Sequence, residues 1–342
     1  MTDLATTYLG LELANPVVAS ASPLTERLDT IRQMEDAGAA AIVMHSLFEE
    51  QLSIEAHDFD HYLSHGAEMY AEAQSYFPDM VAYNRGLEAY VEHLRRAVEA
   101  TDVPIVASLN GVSPGGWTSY ARHMEEAGAA AIELNTYFLP ADPATSSAQV
   151  EQMYVDVVRE VTQAVSIPVA VKLSPFLTAP GHLIGQLAQV GARGAVLFNR
   201  FYQPELDIEA LEVTARVRLS TPLELPMRLR WVCLLHGKVD VDLAVTGGVH
   251  QPEHVVQCMM AGARVAMMTS ALLRHGVPHL RAVIEGLRRW MEEHEYTSIR
   301  QMQGSMSQGT VAEPAALERA QYMRVLRAYR VTSPLRGDDD MP

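Results

Sequence analysis

A repeated phrase limits what this chain can fold into more than its composition does. "MEDAGAAAIVMHS" (34–46) returns as "MEEAGAAAIELNT" (124–136), with weaker copies at "LAQVGARGAVLFN" (187–199) and "MMAGARVAMMTS" (259–270). In each copy a helical run closes on glycine and a short apolar run follows. Glycine tolerates the left-handed conformation just past a helix end, so each copy reads as helix, turn and strand. A second phrase, "VEATDVPIVASLN" (98–110) and "TQAVSIPVAVKLS" (162–174), runs a helix into a proline-led strand. Proline is tolerated there because a strand's first N–H need not join the ladder.

Collected along the chain, the apolar runs number eight: 15–20, 40–45, 104–109, 130–135, 168–173, 194–199, 242–247 and 264–269. They are nearly continuous in their apolar residues and alternate with amphipathic helical patterns. That combination predicts a parallel sheet covered by helices. Eight such units fit a single (β/α)8 barrel of the α/β class. An open doubly wound sheet is the rival, but no Gly-x-Gly-x-x-Gly follows the first strand. The barrel is expected over residues 1–300. A C-terminal helical extension follows over 301–331, with a helix at 313–330, and then a disordered tail over 332–342. Two connections, 46–85 after the second strand and 200–225 after the sixth, exceed ordinary loop length and are expected to cover a substrate.

Charge and cysteine content exclude several function classes. The net charge of −16 repels phosphate backbones, so nucleic acid is not an expected partner. No apolar run approaches the ~20 residues of a membrane span, and the N-terminus lacks the pattern of a signal peptide. The two cysteines, Cys233 and Cys258, lie in apolar helical contexts and read as reduced core thiols of a cytoplasmic protein. No metal site is expected: His57, His61 and His65 share a helical spacing, but a solvated loop explains them as well. "GVSPGGW" (111–117) lacks the Gly-Lys-Ser/Thr ending of a P-loop and reads as a strand-to-helix connection.

In a barrel, function collects at the C-terminal strand ends. Here they offer Ser20, His45, Ser108 with Asn110, Asn135, Lys172, Asn199, Thr246-Gly247-Gly248 and Thr269-Ser270. Asparagines and hydroxyls around one cation suit a flat heterocycle and do not suit a divalent metal. The glycines after the seventh strand and the hydroxyls at the next helix start suit a phosphate. Lys172 and Lys238 are the only lysines in a chain otherwise reliant on arginine, so Lys172 is expected to do chemistry a guanidinium cannot replace.

The ordered set "NPVVAS", "IELN", "VKLSP", "LFN", "VTGGV" and "MMTSALL" resembles the dihydroorotate dehydrogenase family, in its class 1 cytosolic branch, over roughly residues 4–300. The resemblance implies a barrel holding FMN that oxidises dihydroorotate to orotate in pyrimidine biosynthesis, passing hydride to flavin N5. It implies that Gly247, Gly248, Thr269 and Ser270 hold the FMN phosphate. Ser20, Ala21, Ser22 and Ser108 would line the ring or its tail, and Lys172 would meet the charge of the reduced flavin. His45 stands where the family has a lysine near the flavin. Asn84, Asn135 and Asn199 match family asparagines around the substrate, and Arg85 and Arg200 beside them are candidates to clamp an anionic one. A homodimer is implied as well.

One departure bears on chemistry. Where the family carries a cysteine or serine base in the loop after strand four, this chain reads "NTYFLPA", and Phe138 takes that position. Tyr137 and His45 are the proton-acceptor candidates left, and an ordinary tyrosine hydroxyl titrates only near ~10. The reading is therefore an FMN-dependent oxidoreductase with an altered substrate. Its alternative is a non-catalytic barrel, with or without FMN, that acts through a protein partner. With no cysteine cluster and no dinucleotide fingerprint, the electron acceptor is a soluble molecule or another protein.

Overall fold

A computed structural model of the protein describes residues 2–48, 86–111, 117–200, 204–214 and 217–328. Eight parallel strands close a barrel in chain order: β3 (Val17–Ala19), β4 (Ile42–Phe48), β5 (Ile105–Asn110), β6 (Ala131–Asn135), β7 (Val169–Leu173), β8 (Gly194–Leu197), β11 (Asp242–Thr246) and β12 (Val265–Met268). Each falls inside or overlaps one of the eight predicted apolar runs. An N-terminal hairpin, β1 (Thr6–Tyr8) with β2 (Leu11–Leu13), precedes the barrel, and a second hairpin, β9 (Glu205–Asp207) with β10 (Glu212–Thr214), interrupts it after β8.

The repeated phrase has the structure it implies. Gly38, Gly128, Gly191 and Gly262 all take φ between +93° and +114°. In each copy the glycine N–H returns to the carbonyl three residues back and the next N–H to the carbonyl five back, as in Gly128 to Glu125 and Ala129 to Met124. This double bond pattern satisfies carbonyls that a helix end otherwise leaves open. The prolines also serve the barrel: Pro104 and Pro168, which have no N–H to give, accept from Ile42 and Ile132 of the neighbouring strands.

Two apolar layers hold the barrel. Val18, Val43, Val106, Ala131, Ala170, Val196, Ala244 and Met267 fill the bore, and Tyr8, Leu9 and Leu13 of the first hairpin plug its N-terminal end. Leu9 N–H donates to the Asp242 carboxylate at 2.8 Å, which ties the plug to β11. Residues of opposite parity, such as Ile42, Ile132 and Val171, pack outward on the helices. Toward the C-terminal ends polar groups enter the bore, where Ser108, Glu133 and Lys172 are all buried.

The second hairpin gives the predicted loop 200–225 structure of its own. The C-terminal segment also differs from the single helix expected at 313–330. It forms a 3-10 turn at Pro314–Leu317 and a separate helix at Ala320–Ala328. Arg230 donates to the carbonyls of Leu317 and Glu318, and Glu318 is extended, so the two pieces cannot merge. Residues 332–342, His57, His61, His65, most of the 46–85 connection and the centre of "GVSPGGW" lie outside the described residues. Among the described residues no helix is long and apolar enough to cross a membrane, and no group of acidic, histidine or cysteine side chains is arranged to hold a metal.

Candidate active site

A cleft of about 100 Å³ opens at the C-terminal ends of β7, β8, β11, β12 and β3. Ser20, Ala21, Lys172, Asn199, Arg200, Gly247, Gly248, Thr269 and Ser270, which the sequence singled out from separate strand ends, all line it. None of its described lining residues is acidic.

At the β11 end, Gly247 and Gly248 take φ of +88° and +84°, a region other residues adopt only with strain. Gly248 N–H donates to the Ser220 hydroxyl at 3.4 Å, and Ser220 N–H donates to the Ser270 hydroxyl at 2.9 Å. Ser20 and Thr246 hydroxyls stand 3.5 Å apart across the cleft floor. The wall is thus small groups, hydroxyls and backbone donors, a set suited to an oxyanion.

Lys172 is buried at the cleft's inner end. Its ammonium donates to Glu133 Oε1 at 2.9 Å, and the Glu133 side chain is only 1% exposed. The other carboxylate oxygen, Oε2, is buried without a hydrogen-bond partner. Glu133 sits inside β6, two residues before Asn135, so both face the bore. Asn135 pairs in register with Lys172. The Asn199 amide donates to the Asn135 carbonyl oxygen at 2.6 Å. That bond leaves the Asn135 amide to donate and the Asn199 side-chain oxygen to accept, a complementary edge for a heterocyclic imide.

His45 is not among the described residues that line the cleft. A bulge in β4 shifts the register between Val43 and Ser46, so Ser46 pairs with Ser108 and bonds its hydroxyl at 2.7 Å. The extra residue turns His45 toward the helix Leu87–Ala100. There its ring packs edge-on to Tyr90 at 5.2 Å and beside His93 at 5.7 Å, and Nδ1 lies 3.4 Å from the Thr25 hydroxyl. An insertion of one residue in a strand cannot be seen from apolar spacing alone, because it changes parity only beyond the bulge. Ser22 is buried at the start of the turn Pro23–Glu26, and its carbonyl accepts from Thr25. Ser108 belongs to the bore, where Tyr90 holds its backbone by bonds at both N–H and carbonyl. Asn84 and Arg85 lie outside the described residues.

The loop after β6 starts from a fixed root. Tyr154 OH donates to the Thr136 carbonyl at 2.9 Å, and Tyr137 N–H donates to the Asn135 carbonyl at 3.1 Å. Tyr137 and Phe138 are half-buried, while Leu139, Pro140 and Ala141 are exposed. The first carboxylate, Asp142, is exposed and accepts from Ala144 N–H in the turn before the helix Ser147–Ala164. From Thr136 to Ala141 the loop carries no cysteine, histidine or carboxylate.

Three residues of the site were not anticipated. Ser46 takes the inward position beside Ser108, and Ser220 bridges Gly248 and Ser270. Arg228 is buried to 2% exposure within the helix Leu225–Leu235. Its Nε donates to the Thr246 carbonyl at 2.5 Å and its Nη1 to the Glu224 carbonyl at 2.7 Å. Glu224 stands between Arg228 and Arg200, with both contacts at 3.5 Å. The available signal was the cation itself, set inside the apolar run "LPMRLRWVCLL" four residues after Glu224.

Comparison with known proteins bears on the same residues. The family profile described as dihydroorotate dehydrogenase matches residues 3–291. The catalytic subunit of dihydroorotate dehydrogenase B (NAD(+)) from Thermoplasma acidophilum is 26% identical over 315 residues, 89% of this chain and 99% of that one. Its counterpart from Methanothermobacter thermautotrophicus is 27% identical over 317 residues, 88% and 97% respectively. These relatives are dehydrogenases, and so oxidoreductases. With the barrel closed in the expected order and the profile spanning nearly all of it, the chain belongs to the dihydroorotate dehydrogenase family.

Proposed function

We propose that this protein is an FMN-dependent oxidoreductase of the dihydroorotate dehydrogenase type whose β6 loop no longer supplies the proton acceptor. The observation that carries the reading is the convergence, in one cleft, of the Gly247-Gly248 turn, the buried Lys172 ammonium and Asn199, which is bonded in turn to Asn135. That donor set fits FMN at both ends. Hydroxyls and turn backbone suit its phosphate, and a cation beside amide groups suits the edge of its ring. The enclosed volume of about 100 Å³ is smaller than the roughly 300–1,000 Å³ of ordinary ligand pockets, so it accounts for the phosphate end and the adjoining ring edge only.

When bound, the flavin supplies the hydride acceptor. Gly247, Gly248, Ser220, Thr269 and Ser270 would hold its phosphate, with Ser20, Ala21, Ser22 and Ser108 along its length. Lys172 would place positive charge where negative charge develops. Asn135 and Asn199 would orient the substrate or the ring, and Asn84, Arg85 and Arg200 would bind the substrate's charged end. Proton removal is the deficient step. Phe138 cannot accept a proton, His45 is turned toward the helix Leu87–Ala100, and the loop offers only the hydroxyls of Thr136 and Tyr137. General-base help contributes typically ~10²–10⁴ in rate, so dihydroorotate should be oxidised slowly or replaced by a donor that needs no loop base. The acceptor is a soluble molecule or a partner protein, as the relatives' description as catalytic subunits suggests. A cytoplasmic homodimer completes the reading.

The absorption spectrum of the purified protein tests it. Flavin bands, present on isolation or after adding FMN, support the assignment. A protein that stays colourless with FMN overturns it and leaves a flavin-free barrel acting through a partner.

A further inference from the structure

We propose that Tyr8, in the hairpin that plugs the barrel, is a positioning residue for Lys172: through one water enclosed in the bore it donates to Glu133, the carboxylate that holds the Lys172 ammonium. The consequence for a bound ring rests on the flavin reading above; the bridge itself does not.

The Tyr8 hydroxyl and Glu133 Oε2 are buried polar atoms without a hydrogen-bond partner in the protein. Leaving either unsatisfied is costly, and more so for the charged oxygen. Both residues line one small cavity of about 10 Å³, and every other residue lining it is apolar. That volume is the size of a single water, and a cavity holds a water only where polar atoms receive it. Burial first, then the charges of Glu133 and Asp242, push the Tyr8 phenol well above its ordinary value, so it keeps its proton and is a donor. Glu133, ion-paired with Lys172, is an acceptor. A water that accepts from the phenol and donates to the carboxylate satisfies both atoms. Apolar walls alone would leave the same space dry.

The strands bring these groups to one level of the barrel. Glu133, Ala170 and Gly194 stand in register on β6, β7 and β8. A Cβ on Gly194 would lie 3.3 Å from the Tyr8 hydroxyl and 2.6 Å from the Leu9 side chain, so the plug reaches this layer because β8 carries no side chain there. Lys172, two residues beyond Ala170, stands one step nearer the cleft and donates to Glu133 Oε1 at 2.9 Å. A line of contacts therefore runs from the N-terminal plug to the cleft through a single carboxylate. With a donor on Oε2 the negative charge is shared between the two oxygens, and the ammonium is held without being drawn back from the cleft. With that donor removed, Oε1 binds the ammonium harder and Lys172 offers less charge to a ring bound above it.

Thermal melts of the full-length protein separate a bridged hydroxyl from an unpartnered one by sign. Removing an unpartnered buried hydroxyl relieves a penalty, so Tyr8→Phe would then raise the midpoint. With the bridge in place Tyr8→Phe should lower it by about 2 °C or more. A crystal structure of wild type should show one ordered water within about 3.2 Å of both the Tyr8 hydroxyl and Glu133 Oε2. In FMN-loaded protein Tyr8→Phe should shift the preference of the site toward the oxidised ring by about threefold, a fall in midpoint potential of about 14 mV at ~29.6 mV per tenfold. A midpoint temperature that is unchanged or raised, or density with no water between the two atoms, would overturn the bridge. A lowered melt with an unmoved potential would overturn the positioning role, since a hydroxyl that only packs the plug gives that result. Wild type that takes up no FMN would refute the flavin reading and with it the role toward the ring, while the melts and the density still decide the bridge.

Discussion

Lys172→Met strands the most deeply buried carboxylate of the site. Glu133 has 1% of its side chain exposed, receives one bond from Lys172 at 2.9 Å, and has a second oxygen with no partner. Removing one member of such a pair costs about 3–5 kcal/mol, because the remaining charge keeps its desolvation penalty and loses its compensation. Removing both charges is far cheaper, since well-packed neutral groups replace a buried pair at little cost. The expectation is a loss of about 3–5 kcal/mol for Lys172→Met, a comparable loss for Glu133→Gln, and much less than their sum for the double variant. The coupling should therefore exceed about 2 kcal/mol. Urea unfolding of the apoprotein reads this directly, with an unchanged slope showing that the unfolded state is the same. Single variants each costing under about 1 kcal/mol, or effects that simply add, would show that the pair is solvated and that Lys172 is not the buried cation of the cleft.

Acid should weaken the fold through two histidines. His254 Nδ1 accepts the N–H groups of His250 and Gln251, capping the helix Pro252–Ala261, and burial holds both imidazoles below their ordinary range. Their contribution is complete above the unfolded value near ~6.5 and is lost as pH falls from there through the depressed folded values. His254→Gln, whose amide oxygen can take the same bonds, should flatten that loss in thermal melts at pH 7.5 and 5.5. An unchanged difference between the two pH values would refute the assignment. Gly128→Ala should cost about 1–2 kcal/mol or more in the same melts, since φ is +93° and the new methyl would meet Val98 at 3.2 Å. Burial pushes the Cys233 thiol up to about 11 and Cys258 higher still, so neither should react with a disulfide reagent until the protein unfolds.

The barrel was legible because its signals are local and repeated. Each glycine after a helix marks a left-handed cap, and each apolar run marks a strand buried on both faces. The cleft was legible in part, because strand order brings chain-distant ends together in a predictable ring. What could not be read were features set by geometry between elements. The bulge that exchanges Ser46 for His45 leaves no mark in composition. The burial of Arg228 depends on how the helix Leu225–Leu235 meets the ends of β8 and β11. Glu133 lies inside a strand, and only its diagonal approach to Lys172, which the sequence does not show, gives it a partner. The break between Pro314–Leu317 and Ala320–Ala328 comes from Arg230, which lies far away in the sequence.

The central claim, a flavin site that has lost its loop base, is tested by anaerobic reduction of the FMN-loaded protein with dihydroorotate, followed as bleaching of the flavin bands in wild type and Phe138→Cys. Wild type should bleach slowly and the cysteine variant faster by at least about tenfold, within the ~10²–10⁴ that a positioned base contributes. Rapid bleaching of wild type with no gain from Phe138→Cys would contradict the account and place the proton acceptor elsewhere in the cleft.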